Sequence, residues 1–481
     1  MSSHAGVAGV VLSAFLIGCT EATGPAPPLS PPSRPASLSV RPTRAMVNGA
    51  RVRFSNPDAD SVRAGYIAAD GTEAGVTPWV SGSNTSVLVL GLAPATRYLV
   101  WTEAKRGSAT AVGDTLAFVT EALPPGLAEA RLERQRGGPL SGGYTLTSTM
   151  DADGHFYAVA YDSVGVVRWY RDLGFPGAVA DVQQQHNGHI TAGVGPSHGY
   201  DSAAVHFVEL THAGDSVRAI VATGSAFTDA HELIVDTEHG SRVADYLFGY
   251  DIRTVDLTEF GGGPADPLAG HQVLRIGAAG GVDTLVQGWN RWSEHDAVIG
   301  PPLAGDFDHP NSLSFDLDGG LVISYRALGA VVKLAPDSRT VAWVFGGTGN
   351  EFTLTGDPLN GFGGQHTVRV LRNGHLLMFD NGWNHTPQRS RAVEYALDPA
   401  TRTASMVWQY VPEPAVFVPF TGSAQRLANG NTVVTFTGSG FLDEVSPDGV
   451  LLARMALRSG NRSYFPYRTQ RIRSLYRYEK P

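Results

Sequence analysis

Four side chains combine suggestive types with similar spacing from turns. His366 lies seven residues before Asn373-Gly374 in GGQHTVRVLRNGHLLMFDNG, and His309 lies nine before Asp318-Gly319 in DFDHPNSLSFDLDGGLVISYR. His231, in DAHELIVDTEHG, precedes a less regular His239-Gly240 turn by eight or nine residues. Asn-Gly and Asp-Gly between alternating apolar runs mark hairpin turns, so each histidine falls at the open end of a hairpin. Folding the chain back at Asp318-Gly319 brings Arg326 within two places of His309. The same operation at Asn373-Gly374 sets Asn381 opposite His366. Seven and nine differ by an even number, which on a two-residue period directs His309 and His366 to equivalent faces. Imidazole is a nucleophile, acid or base near neutral pH. Three imidazoles are equally a donor set for zinc or iron(II). Arg326 in the same place argues against a metal, because a fixed cation disfavours a dication beside it. His155, His189, His375 and His385 read as capped or solvated strand residues.

The elements that must position these groups are strands. The 481 residues include 57 Gly and 30 Pro but only 17% charged residues, and short alternating runs replace long amphipathic helical periods. From about residue 125 onward six turn dipeptides ending in Gly recur, at Asp153, Asn187, His239, Asp318, Asn373 and Asn429, each flanked by β-prone residues. Several are followed by a strand bearing a tryptophan: Trp169 in GVVRWY, Trp343 in TVAWVFG and Trp408 in SMVWQY, which read as packing residues. Irregular repeats of this length predict an all-β fold, a six-bladed β-propeller over 125–481. In a propeller the innermost strand of each blade lines a central channel, so the open hairpin ends face the channel mouth. His231, His309, His366 and Arg326 are thereby expected at one end of that channel.

Upstream, LSVRPTRAMVNGARVRFS carries another Asn-Gly turn, and TSVLVLGLAPATRYLVWTEAKRG is similar to the fibronectin type III pattern. Leu92, Pro94, Thr96 and Tyr98 match it, with Tyr98 in the place of a tyrosine corner. Residues 38–122 are therefore expected to form a small β-sandwich. Residues 20–37 are Pro-rich and suit an extended linker. Residues 1–19 end in LSAFLIGC, similar to a bacterial lipoprotein signal. Cys19, the single cysteine, would be lipidated and would attach the protein to a membrane. The formal net charge of −9 and the lack of a basic cluster in the sequence argue against nucleic acid as a partner.

FDHPNSLSFDLDGGLVISYR, VAWVFGG, GQHTVRVLRNGHLLMFDNG and GSAQRLANGNTVVTFTGSGFLDEVSPDG together resemble the motif series of the bacterial arylsulfotransferase family, over about residues 130–470. The resemblance implies an exported enzyme on the periplasmic side of the cell envelope, with a six-bladed propeller preceded by a β-sandwich. It implies ping-pong transfer of a sulfuryl group from a phenolic sulfate donor to a phenolic acceptor through a sulfohistidine. His366 matches the nucleophile, His309 the histidine of a His-x-Asn-Ser motif, Arg326 its downstream arginine and His231 a further catalytic histidine. Asn311, Gln365 and Asn381 are expected to bind substrate. No metal or other cofactor is called for, because an aryloxide is already a good leaving group. A non-catalytic binding propeller is the reading from a different class, and a homodimer is left open.

Overall fold

The computed structural model describes residues 30–479, apart from 56–57, 139, 152, 175–177, 196–203, 226, 240, 301–304, 338, 460–461 and 464–465. Cys19 and most of the linker lie outside the described residues. The described chain is nearly all β, with one short α-helix, Pro125–Glu129. Two sheets occupy the first quarter of the chain. One joins Ala36–Pro42, Gly49–Ser55 and Ser86–Leu90; the other is built on Ser61–Ala68 and Arg97–Arg106. Alternate residues of both turn inward, so Val52, Phe54, Val62, Val89, Tyr98 and Val100 form one core between them. The Tyr98 hydroxyl accepts a hydrogen bond from the Ala93 N–H at 2.8 Å, closing the loop before its own strand.

Six more sheets follow, each built on a four-stranded antiparallel meander; the fifth adds Thr353–Thr355, parallel to Thr403–Tyr410, and the sixth has two strands more. Every turn dipeptide singled out in the sequence falls in the connection between the first two paired strands of one sheet. The strand at one edge of each is Gln470–Ile472, Ala178–Gln184, Phe227–Glu238, Pro310–Phe315, His366–Val370 and Ser423–Arg426, for the first to sixth sheets in chain order. Two sheets draw strands from both ends of this region. Gln470–Ile472 pairs with Tyr144–Met150, and Ala130–Gly137 pairs with Leu451–Ser459.

These six edge strands are tied to one another by side chains. Gln470 Oε1 accepts from the Gln184 N–H, Asp181 from the Leu233 N–H, and Glu232 from the Leu313 N–H. Ser312 and Ser314 accept from the Val368 and Val370 N–H groups; the Thr367 hydroxyl donates to the Gly422 carbonyl. Gln425 exchanges two hydrogen bonds with the backbone of Arg471. The expected packing tryptophans stand on the fourth strands of their meanders. Trp169 and Trp343 are buried, and Trp408 lies half-buried under the Arg426 guanidinium.

A second regularity concerns register. Four of the edge strands carry a bulge: at 181–182, at 230–232, at Asn311 and at 367–368. Asp181, His309 and Thr367 have φ of 47°, 48° and 52°, a region that side chains other than glycine rarely enter. Bulges re-aim side chains and release backbone groups from the ladder. The hydrogen bonds to the Leu233 and Val368 N–H groups, given by the neighbouring sheet, satisfy such released donors.

Candidate functional site

His366 opens its strand at the bulge and is buried. Its ring orientation follows from its partners. The Asn381 side-chain nitrogen donates to the carbonyls of Val418 and Thr421, at 2.7 and 3.0 Å, which turns the Asn381 oxygen towards the ring. His366 Nδ1 lies 2.8 Å from that oxygen and 3.0 Å from the Gly364 carbonyl, so Nδ1 carries the proton. Nε2 is then the nitrogen with the lone pair, facing the Thr421 N–H at 3.2 Å. Gly364 has φ of 71°, and a Cβ there would lie 2.3 Å from the Trp383 ring, so glycine is required for this approach. Burial and the Arg326 charge hold the His366 pKa well below its ordinary value, with Asn381 opposing and His309 and His231 adding to the depression. The side chain is a neutral imidazole in one defined tautomer.

His309 and His231 are held the same way. His309 Nδ1 donates to Asp306 at 2.8 Å, and His231 Nδ1 to Asp229 at 2.7 Å, which leaves Nε2 of each ring for chemistry. Their ring centroids are 4.7 Å apart, and Tyr467 lies 5.4 Å from His231 and 6.2 Å from His366. Burial lowers the His309 pKa; Asp306 opposes that, while His231 and Arg326 reinforce it. The Arg326 N–H donates to the His309 carbonyl at 2.9 Å. Its guanidinium lies 5.7 Å from the Trp383 ring centre, with one nitrogen 3.4 Å from the Pro419 carbonyl. The three histidines and the arginine expected from the sequence are thus together.

The reasons differ in part. His309 stands just before its strand with positive φ, so its direction is set by that turn and not by the two-residue pleat. The register partner of His366 is Phe379, because the bulge shifts the pairing; Asn381 reaches the ring from two residues further on. Asn381 is therefore a positioning residue for His366. Gln365 turns its side-chain nitrogen into the fourth sheet, donating to Ser324 Oγ and the carbonyls of Tyr325 and Ala330. These three bonds anchor the start of its strand to that sheet, while the side-chain oxygen is buried without a hydrogen-bond partner among the described residues. The Asn311 side-chain nitrogen donates to the Gln365 carbonyl at 2.7 Å, while its oxygen is buried without a hydrogen-bond partner among the described residues. His189, His375 and His385 are each held by a carboxylate, as structural histidines.

Behind the site lie residues the sequence reading passed over. His271, on the third strand of its meander, is buried between Asp308, 2.6 Å from Nδ1, and Asp229, 3.2 Å from Nε2. Burial opposes its charge, but the two carboxylates prevail and push its pKa up to about 10. Asp229 therefore bridges His271 and His231, and Asp308 also accepts the His309 N–H. Arg468 pairs with Asp181 and Glu232 and donates to the carbonyls of His231 and Asn311, which ties three sheets under the cluster. Asp229, Asp306 and Asp308 stand beside the histidines in DAHE and DFDH, and that adjacency was the available signal. His271, Tyr467 and Arg468 have no such marker.

Among the described residues no group of three His, Cys, Asp or Glu side chains is disposed to hold a metal ion, so the geometry lends nothing to the three-imidazole metal reading. Residues 294–462, which contain His309, Arg326 and His366, match the sequence model of the arylsulfotransferase family. The arylsulfate sulfotransferase AssT of Escherichia coli is 28% identical over 255 residues, which span 44% of this chain and 42% of that protein, less than half its length. Among solved structures, a protein from Bacteroides caccae is 13% identical and covers 69% of this chain and all of its own, with a TM-score of 0.42. A streptogramin B lyase is 10% identical and covers 72% of this chain and 92% of its own, with a TM-score of 0.39. The sequence matches thus make residues 294–462, the stretch that holds His309, Arg326 and His366, similar to the arylsulfotransferase family.

Proposed function

We propose that the protein is an aryl-sulfate sulfotransferase working by a ping-pong mechanism, with His366 Nε2 as the nucleophile. The observation that carries this reading is the state of His366: neutral, fixed through Nδ1, and beside a fixed guanidinium. Nε2 attacks sulfur, the sulfur–oxygen bond to the aryl group breaks, and the bonding pair leaves with the phenolate. Such transfers, like phosphoryl transfer, are loose, so positioning and charge stabilisation dominate. Arg326 forks onto two terminal sulfuryl oxygens. The sulfoimidazolium keeps its Nδ1 proton on Asn381 and Gly364. His309 or His231, charged once the anionic ester is bound, supplies the proton to the phenolate. A second phenol then attacks the sulfohistidine by the reverse path.

In the same reading the six sheets are the blades of a propeller and the six edge strands line its channel. The hydrogen bonds that run from each edge strand to the next support this, as do the two sheets that combine strands from both ends of the region. The buried Tyr98 and the two-sheet core support a fibronectin type III-like domain before it. Lipid attachment through Cys19 and an envelope location rest on the signal-like sequence alone. A Cys19→Ser variant made in a bacterial host tests them: it should leave the membrane fraction, and an unchanged distribution would refute the anchor. The function itself is tested with a chromogenic aryl sulfate and a panel of phenols. Release of the donor phenol that depends on acceptor supports transfer, whereas an acceptor-independent rate, or none with any ester, would favour hydrolysis or binding.

A further inference from the structure

A cleft of about 290 Å³ lies where the sheet of Ala36–Pro42 and Gly49–Ser55 meets the turn between His206–Leu210 and Ser216–Ile220. Arg41, Arg44, Arg51 and Arg53 line it, and it continues past Arg44 to Arg171, with Asp215 as the acidic residue at the junction. Leu210 and Ser216 are level with Ile190 and Gln184, at the end of the second sheet that carries the Asn187-Gly188 turn.

The arrangement is not an ordinary solvated face. Arg41 is the direct cross-strand partner of Arg51, and like charges directly opposite one another destabilise a sheet. Arg51 and Arg53 share one face about 7 Å apart, while Val52 between them turns into the core. None of the five arginines forms an ion pair with a described residue, although other arginines here, such as Arg168, Arg218 and Arg391, are each paired with two carboxylates. A chain with net charge −9 thus concentrates five guanidinium groups against one carboxylate, in a concavity.

We propose that this arginine cleft binds a linear polyanion, an acidic glycan chain carrying sulfate or carboxylate groups. Guanidinium forks match the oxygens of such groups, and their spread over two strands, a turn and a neighbouring sheet exceeds the reach of one small anion. The concave shape and the near absence of large apolar side chains in the lining disfavour a bilayer surface. This site is independent of the reading of His366.

Fluorescence anisotropy with a labelled, heparin-derived sulfated hexasaccharide tests the site on the full chain. Saturable binding that weakens steeply with salt is expected. The double variant Arg51→Ser with Arg53→Ser should lower affinity at least about tenfold, as should Arg44→Ser, which lies in a turn and leaves the strands intact. Arg97→Ser, on an exposed strand face elsewhere, should not change it. Removing the Arg41–Arg51 repulsion should leave the thermal midpoint unchanged or higher. Equal affinity in the double variant and Arg44→Ser would overturn the site. So would failure of the hexasaccharide to bind at low salt, displacement by inorganic sulfate at equal charge concentration, or tighter binding of anionic vesicles or duplex DNA.

Discussion

In the proposed reaction, the Arg326 guanidinium acts on His366 twice. It meets the sulfuryl oxygens, and its charge, after burial, keeps the imidazole unprotonated. The first role predicts that Arg326→Lys, which keeps the charge but loses the fork, loses turnover worth about 2–4 kcal/mol with a smaller change in KM. A wild-type rate of donor-phenol release would remove Arg326 from the mechanism. The second role has a sign that can be checked. Because the His366 pKa lies well below 6.5, the first step should hold its rate through mildly acidic pH and fall only well below that value. Arg326→Gln removes the cation and should move this acid limb upwards. A wild-type limb at or above pH 6.5 would contradict the environment described for His366.

At the scale of elements, bulges explain both what the sequence disclosed and what it concealed. Turn dipeptides mark hairpin centres, so counting outward from Asn373-Gly374 and Asp318-Gly319 located His366, His309 and Arg326. Counting fails where an extra residue enters one strand, and for that reason the fold-back sets Asn381 in the register place that Phe379 holds. His271 sits on a third strand that no turn signal indexes, and Arg468 enters the site only because the last strand joins the first sheet. The bulges also depend on their neighbours. Ser312 accepts the Val368 N–H at 2.9 Å, a group outside the regular ladder. Ser312→Ala would leave that buried donor unpaired and should cost about 1–3 kcal/mol of stability, read from urea unfolding. The loss should come with slower phenol release, since Val368 is two residues from His366.

For the whole molecule, the buried histidines set opposite pH trends. His366 and His309 have folded pKa values below 6.5. The unfolded chain therefore takes up protons that the folded one refuses, and stability falls as pH drops below about 6.5. His271, raised to about 10 by Asp308 and Asp229 against burial, contributes stability fully below pH 6.5 and loses it as pH rises towards 10. Thermal unfolding across this range should show highest stability near neutrality. His271→Gln should lower the maximum and flatten the alkaline limb. An alkaline limb identical to wild type would mean that His271 is not a buried cation.

The covalent intermediate is the most direct test of the central claim. Mixed with an aryl sulfate and no acceptor, the enzyme should release a burst of phenol equal to the enzyme present and retain a sulfuryl group on His366, identified by peptide mass spectrometry. The adduct should survive alkaline quench, break in acid, and discharge when a second phenol is added. His366→Ala should show neither burst nor adduct, whereas His309→Ala should form the adduct more slowly. A sulfated enzyme accumulating at the wild-type rate in His366→Ala would contradict the account.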